Sequence, residues 1–293
     1  MKQTWGPMWV AAGAALWATD SLLRRPLTAS LSSVQIVLTE HLILTLVLLP
    51  VSRRWWPEWR RLGLLQWAAV VGIAWGGSAA GTVLFTEAIR IGNPTTAVLL
   101  QKIQPVFAAL LARALLRERL GSRFWVCLLL ALGAGYLVSF GDELDPFASP
   151  GSLAPAMLAL GAAAVWGSST VLGRFALREL SFPSLTALRV FGATLALAAL
   201  TWAQSRPLVL ELEFSQARSL LLMALVPGLA ALLVYYYGLR QTRASIAAIA
   251  ELSFPATATV LNWLFLDARV TLVQVGGFLI LWAVILQLER RAK

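Results

Sequence analysis

Ten apolar stretches, each about 20 residues long, follow one another along this chain of 293 residues. An α-helix rises about 1.5 Å per residue, so a stretch of this length crosses the hydrocarbon core of a bilayer. Only 13% of the residues are charged, about half the usual share in a soluble domain. The sequence therefore excludes a soluble globular enzyme and predicts an all-α membrane protein. The stretches run approximately over residues 7–23, 33–51, 64–87, 95–115, 123–140, 153–173, 183–203, 219–238, 244–266 and 271–288.

Lysine and arginine are unevenly divided between the two sides of the predicted membrane. With the N-terminus inside, 16 of them lie in inside segments and six in outside segments. Because these residues favour the cytoplasmic side, we expect both termini in the cytoplasm of a bacterial-type plasma (inner) membrane. The net charge of +10 is then an orientation signal, and no nucleic-acid partner is expected. The six outside residues are Arg24, Arg25, Arg90, Arg206, Arg218 and Arg269.

The two halves of the chain resemble each other at an offset of about 150 residues. Trp17 aligns with Trp166, Glu40 with Arg189, and Pro105 with Pro255. Each half holds five predicted helices, and an odd number places the second half upside down in the bilayer. The sequence thus predicts ten transmembrane helices as two inverted five-helix repeats, 1–141 and 153–293, joined by an external linker at 142–152. Such repeats favour alternating access around a site near the bilayer midplane.

The motifs around the fourth and ninth stretches resemble those of the drug/metabolite transporter superfamily, in its EamA-type branch. The resemblance implies a ten-helix bundle that moves small polar or amphipathic metabolites, often outward, and one branch exports aromatic amino acids. The second half departs from the pattern at Ala268, where the first half has Glu118. The first-half residues are Ala88-Ile89-Arg90, Asn93-Pro94-Thr95-Thr96-Ala97, Gln104-Pro105 and Leu116-Arg117-Glu118-Arg119-Leu120; the second-half residues are Gly238-Leu239-Arg240, Ala244, Glu251, Pro255 and Leu266-Asp267.

Ionisable side chains inside the spans are candidates for a coupling ion or a charge network. A charge at the bilayer centre costs roughly 2.5–3.5 kcal/mol on insertion scales, so such residues usually face a cavity or a partner. His41 has an ordinary pKa of about 6.5, which suits proton transfer, although a histidine in a helix also serves as a packing residue. The candidates for proton coupling or a charge network are Asp20, Glu40, His41, Glu87 and Arg189.

Lys102 is the span residue that most needs a partner. A buried ammonium requires an acid, a carbonyl or an anionic ligand. Three interpretations stay open for it: a structural pair with Glu87 or Glu40, a contact for a substrate carboxylate, or snorkelling to the outer surface. Glu251 aligns roughly with Gln101 and has two interpretations, a wall of the substrate cavity or an inter-helix hydrogen bond.

Aromatic side chains recur at matched positions in the two halves. They would stack on an aromatic or amphipathic substrate, although ordinary packing is the alternative for each of them. Trp75, Ser78, Thr82 and Phe85 have the spacing of one helical face, and the two matched prolines are candidates for gating elements. The predicted substrate-binding residues are Trp17, Trp75, Thr82, Phe85, Gln101, Lys102, Trp166, Tyr235 and Glu251, and the predicted gating residues are Pro105 and Pro255.

These patterns together predict a secondary transporter, with export of a small metabolite, such as an amino acid, as the favoured activity. No phosphate-binding loop of the GxxxxGK[ST] type occurs, so energy would come from the substrate or from a coupling ion such as the proton. The expected partners are the substrate and the lipid bilayer, a monomer is favoured, and no cofactor or metal is expected. A channel-like or scaffold membrane subunit is the alternative, and a membrane enzyme has no supporting motif.

Overall fold

A computed structural model describes residues 5–24, 27, 30–91, 97, 100–140, 153–203, 212–265 and 270–291. Within these residues the chain is all-helical, and a helix occupies each of the ten predicted stretches. The predicted linker at 142–152 lies outside the described residues. We number the helices α1 (Gly6–Trp17 and Asp20–Arg24), α2 (Ser33–Ser52), α3 (Leu64–Val71, Gly72–Ala80 and Gly81–Ile91), α4 (Gln104–Leu115), α5 (Ser122–Phe140), α6 (Leu153–Ala176), α7 (Phe182–Ala203), α8 (Phe214–Met223, Ala224–Ala230 and Ala231–Arg240), α9 (Ala244–Ala250 and Ser253–Phe265) and α10 (Leu272–Arg291).

Seven helical stretches in the described part of the chain are long and apolar enough to cross a membrane. Two further apolar helices, Gln104–Leu115 and Leu272–Leu288, are shorter. The first helix is interrupted at Ala18 and Thr19, where the apolar pattern predicts one continuous span. The seven long stretches are Val34–Trp59, Leu64–Ala88, Ser122–Phe140, Leu153–Ala176, Phe182–Ala203, Phe214–Arg240 and Ala244–Phe265.

The packing order follows the two repeats. Helix α2 packs on α7, α3 on α6 and α7, and α1 on α8 and α9. The contact between α1 and α8 is close because Gly238 has no side chain: a Cβ there would lie 2.6 Å from the backbone nitrogen of Val10. Helices α5 and α10 pack on each other, and α4 packs on α6 and α9.

Two threonines at equivalent positions of the repeat meet in the structure. The Thr45 and Thr194 hydroxyl oxygens are 2.8 Å apart, and the residues are separated by 149 positions. Residues related by a two-fold axis touch each other only near that axis, so the pseudo-two-fold axis passes between α2 and α7. The contact agrees with the offset read from the sequence.

Helix irregularities occur at equivalent places in the two halves. Lys102 and Ile103 form a turn before α4 resumes at Gln104, and Glu251 and Leu252 form a turn between the two segments of α9. The middle segments of α3 and α8, Gly72–Ala80 and Ala224–Ala230, are π-helical. Such π segments recur at functional sites, and broken helices commonly surround the binding sites of transporters.

Candidate functional site

The Glu251 carboxylate is the centre of a hydrogen-bonded cluster that joins four helices. Gln104 of α4 donates its side-chain amide to Oε2 over 2.6 Å. Thr170 of α6 and Tyr235 of α8 donate their hydroxyls to Oε1 over 2.8 and 2.7 Å. We call these four residues the Glu251 cluster. It lies at the break in α9, so the turn that interrupts this helix also presents its carboxylate to the neighbouring helices.

Two aromatic pairs, each joining a residue of the first half to one of the second, are related by the repeat. The Trp17 ring on α1 is 4.8 Å from the ring of Tyr235 on α8, and the Phe85 ring on α3 is 5.4 Å from that of Trp166 on α6. The repeat relates Trp17 to Trp166 and, approximately, Tyr235 to Phe85, so the pairs are counterparts. Only the first pair carries a phenolic hydroxyl, and that hydroxyl belongs to the Glu251 cluster.

The second aromatic pair is held by the π-helical segment of α3. The indole N–H of Trp166 donates to the carbonyl of Gly77 over 2.8 Å. A π-helix has a wider turn than an α-helix, so it changes the directions of the side chains within it and after it. The residues predicted to share one α-helical face of α3 therefore do not line a single face. Trp75 is 54% exposed whereas Ser78 is buried, and Thr82 donates its hydroxyl to the carbonyl of Ser78 on its own helix.

Arg189 of α7 joins the π segment of α3 to α8. Its Nε donates to the Ser78 hydroxyl over 2.9 Å, and a terminal nitrogen donates to the Tyr236 hydroxyl over 3.1 Å. The guanidinium carbon also lies 6.0 Å from the centre of the Tyr236 ring. Tyr236 and Tyr235 are in ring contact at 5.3 Å, so this network is adjacent to the Glu251 cluster.

A second charge network is centred on Arg24, at the end of α1. Its Nε and a terminal nitrogen donate to the two Asp20 carboxylate oxygens over 2.6 and 2.7 Å. The terminal nitrogen also lies 3.3 Å from a Glu40 oxygen. The structure thus brings together two of the predicted carboxylates, Asp20 and Glu40, through an arginine that sequence analysis assigned to an outside connection.

The remaining predicted coupling residues have other surroundings. The Nδ1 atom of His41 is 2.9 Å from the carbonyl of Val37 on its own helix, and Thr194 donates to the His41 carbonyl over 3.2 Å. Glu87 lies half-buried on the last part of α3. Among the described residues, no group of three His, Cys, Asp or Glu side chains comes close enough to hold a metal ion.

Lys102 is buried in the turn before α4, with 9% of its surface exposed. Its side chain passes near Gly135 of α5, close to Leu252 of α9. Within the described residues, no acceptor is hydrogen-bonded to its ammonium group, and Glu40, one of its two predicted partners, is paired with Arg24. Lys102 therefore remains a candidate contact for an electronegative group of a ligand, and Gln101 lies beside it, half-buried.

The matched prolines follow the helix breaks instead of causing kinks inside helices. Pro105 lies at the start of α4, where its missing N–H would have no helical partner. Pro255 lies early in the second segment of α9. Their role in gating stays a prediction, as do the ligand contacts predicted for the other site residues.

Most of the residues that complete these networks carry no clear signal in the sequence. Gln104 stands out only as part of the Gln104-Pro105 motif, with no predicted role, and Thr170 belongs to no motif. Small hydroxyl residues do not interrupt an apolar helix, so composition carries little sign of them. The break at Lys102 and Ile103 has one signal in the sequence, because Pro105 has no N–H to donate to the carbonyl of Gln101, four residues earlier.

The sequence matches the EamA-like transporter family twice, over residues 4–140 and 153–288. It is 30% identical over 306 residues to the riboflavin transporter ImpX of Fusobacterium nucleatum, and the match covers 97% of both chains. A solved crystal structure of a protein superposes with a TM-score of 0.76 at 19% identity, covering 99% of this chain and 100% of that chain. The similarity to this crystal structure concerns the fold alone.

Proposed function

Because the chain belongs to the EamA-like transporter family, we propose that it moves a small metabolite across the inner membrane by alternating access between its two halves. The observation that carries this proposal is the pair of equivalent aromatic contacts, Trp17 with Tyr235 and Phe85 with Trp166. Equivalent groups in inverted repeats exchange their surroundings when the halves rock, so each pair would face the substrate in turn. We further propose a monomer with both termini in the cytoplasm.

We propose an aromatic heterocycle of the flavin type as the substrate. Two observations support this class: the relative of 30% identity is a riboflavin transporter, and the two aromatic pairs offer flat surfaces on which a planar ring stacks. The Glu251 cluster adds hydroxyl, amide and carboxylate groups that suit a substrate bearing hydroxyls. Export stays the predicted direction.

An aromatic amino acid is the second candidate substrate. The buried ammonium of Lys102 favours it, because the described residues offer no acceptor for that group and a substrate carboxylate would supply one. Competition between riboflavin and tryptophan for transport separates the two candidates. If tryptophan competes, the Lys102→Met variant should lose that competition while riboflavin transport persists.

Riboflavin flux in proteoliposomes of purified protein tests the proposal. Trp17→Ala and Trp166→Ala should each weaken riboflavin binding by about 1–3 kcal/mol, the usual cost of losing one stacked aromatic contact. Trp202→Ala is the matched control, since this tryptophan is 85% exposed at the end of α7, and its riboflavin affinity should equal that of the wild type. Equal affinity in all three variants would contradict an aromatic site, and absence of flux would contradict a riboflavin transporter.

A further inference from the structure

We propose that Glu251 binds the proton that couples substrate movement to the proton gradient, an inference that rests on the proposed secondary transport. The residues predicted for coupling were Asp20, Glu40, His41, Glu87 and Arg189. The geometry points instead to the carboxylate at the break in α9, for three reasons: its partners are neutral, its hydrogen bonds have an alternative arrangement, and one bond crosses between the two halves.

The hydrogen-bond partners of Glu251 are an amide and two hydroxyls. Within the described residues, no lysine or arginine is hydrogen-bonded to this carboxylate. Asp20 and Glu40 differ, because both contact the Arg24 guanidinium. A carboxylate without a bound cation accepts a proton without first weakening an ion pair, whereas a proton on Asp20 or Glu40 would weaken the contact of that acid with Arg24.

The hydroxyls around Glu251 allow a second arrangement without movement of heavier atoms. The Tyr235 hydroxyl lies 2.7 Å from Oε1 of Glu251 and 3.1 Å from the Thr170 hydroxyl oxygen. When the carboxylate is ionised, both hydroxyls donate to it. When Oε1 carries a proton, that proton is donated to the Tyr235 oxygen and Tyr235 donates to Thr170. Thr170 then turns its hydroxyl toward its own helix, as Ser168 does toward Ala164.

The proton would change the strength of a bond between the two halves. Gln104 belongs to the first repeat and the other three members of the cluster to the second, so the Gln104 bond to Oε2 crosses between the halves. A hydrogen bond to an ionised group is roughly twice as strong as one between neutral groups. Proton uptake from water on one side therefore loosens this bond, and proton release to the other side restores it.

Other titratable groups near the cluster are held by partners of their own or lie farther along the helices. Arg189 of α7 is close enough to attract Glu251 electrostatically, but it donates its hydrogen bonds to Ser78 and Tyr236, and Tyr235 and Tyr236 of α8 are phenols. Lys102 lies in the turn before α4, two residues before Gln104, and its aliphatic chain faces Gly135. Tyr136 of α5 is in ring contact with Phe140. Part of the Glu251 surface remains exposed, which gives the proton access.

Two measurements on the full-length protein test the inference. In proteoliposomes, we expect a pH gradient to drive riboflavin accumulation by the wild type. The isosteric Glu251→Gln variant should lose this accumulation completely, and any riboflavin exchange that it keeps should no longer depend on pH. In infrared difference spectra recorded between acidic and alkaline pH without substrate, one component of the carbonyl stretch of protonated carboxylic acids should be present in the wild type and missing from Glu251→Gln.

Glu40→Gln is the rival variant, since it removes a carboxylate of the Arg24 network. Gradient-driven accumulation that persists in Glu251→Gln but is lost in Glu40→Gln would overturn the inference. Wild-type flux that ignores the gradient would also overturn it and leave the proposed transport standing. Absence of riboflavin flux in the wild type would instead contradict the proposed substrate, and the infrared band would then decide whether Glu251 binds a proton. Size-exclusion profiles identify any variant that fails to fold.

Discussion

The Arg24 guanidinium stabilises two shielded carboxylates, those of Asp20 and Glu40, through direct contacts. The Glu40 side chain is 10% exposed, and Asp20 and Arg24 are each 28% exposed. Because these side chains are shielded from water, their attraction is screened less than that of a surface pair. The arginine also has the planar geometry that grips the Asp20 carboxylate through two nitrogens.

Replacing this arginine should destabilise the protein. In Arg24→Gln the two carboxylates face each other without a cation, and leaving buried groups unsatisfied costs about 1–3 kcal/mol, with more for charged groups. Thermal unfolding of the detergent-solubilised protein measures the loss. Arg60→Gln is the control, because Arg60 is exposed, and we expect its unfolding temperature to match that of the wild type. Equal stability of both variants would show that the Arg24 network contributes nothing to the fold.

The two acids of this network are recognisable in the sequence, whereas the base that pairs with them is not. Asp20 and Glu40 stand out because acidic residues in apolar helices are rare. Arg24 looked like an ordinary loop residue, since the apolar pattern ends at about residue 23 and arginines commonly follow helix ends. The pairing depends on α1 continuing as the helical segment Asp20–Arg24, and residue spacing alone does not reveal that continuation.

The sequence predicts the positions of the apolar helices but not the irregularities within them. Hydrophobic stretches give approximate length and position, and the ten stretches coincide with ten helical regions among the described residues. The π segments and the two breaks leave the average hydrophobicity unchanged, so they were not predicted. Gly72, Gly76 and Gly77 on α3 and Pro227 on α8 mark the π segments in retrospect, because such residues weaken regular helical hydrogen bonding.

Two carboxylates of the first half cap helices of the second half. Glu58 accepts bonds from the Ser181 backbone N–H and hydroxyl over 2.9 Å each, where α7 begins. Glu118 accepts bonds from the Ala244 and Ser245 backbone N–H groups over 2.8 and 3.3 Å, where α9 begins. Carboxylates satisfy the free N–H groups of a helix start and complement its dipole. The acid of the Leu116–Leu120 motif thus ties the two repeats together.

Removing one of these caps should lower the stability of the helix whose start it caps. Glu118→Ala leaves the first N–H groups of α9 without this acceptor, and loss of a helix cap costs about 0.5–2 kcal/mol. Unfolding by a denaturing detergent measures the change in stability. Glu179→Ala is the matched control, because Glu179 is an exposed acid on the connection before α7. If the two variants unfold alike, the Glu118 contacts do not stabilise the start of α9.

The two halves are alike in fold and different in chemistry. The Thr45–Thr194 contact and the paired aromatic groups follow the repeat, whereas the Glu251 cluster uses the hydroxyl of Tyr235, and the counterpart of Tyr235 in the second pair, Phe85, has no hydroxyl. The offset predicted the symmetric features because they reflect a shared backbone. The contacts of Glu251 with Thr170 and Gln104 join side chains 81 and 147 residues apart, which only the folded chain brings together.

Glu58 joins the connection between α2 and α3 to that between α6 and α7, and Glu118 joins the connection between α4 and α5 to that between α8 and α9. In a bundle whose helices each cross the membrane once, these four connections lie on one face. The arginines in them predict that this face is cytoplasmic. The single cysteine, Cys127, is buried, so a Cys127→Ser background allows single-cysteine labelling. A membrane-impermeant maleimide applied to intact cells should label Phe214→Cys, at the opposite end of α8 and 86% exposed in the wild type. It should leave Arg60→Cys unlabelled until the cells are permeabilised. The reverse pattern would place the arginine-rich face and both termini outside, and would contradict the orientation inferred from charge.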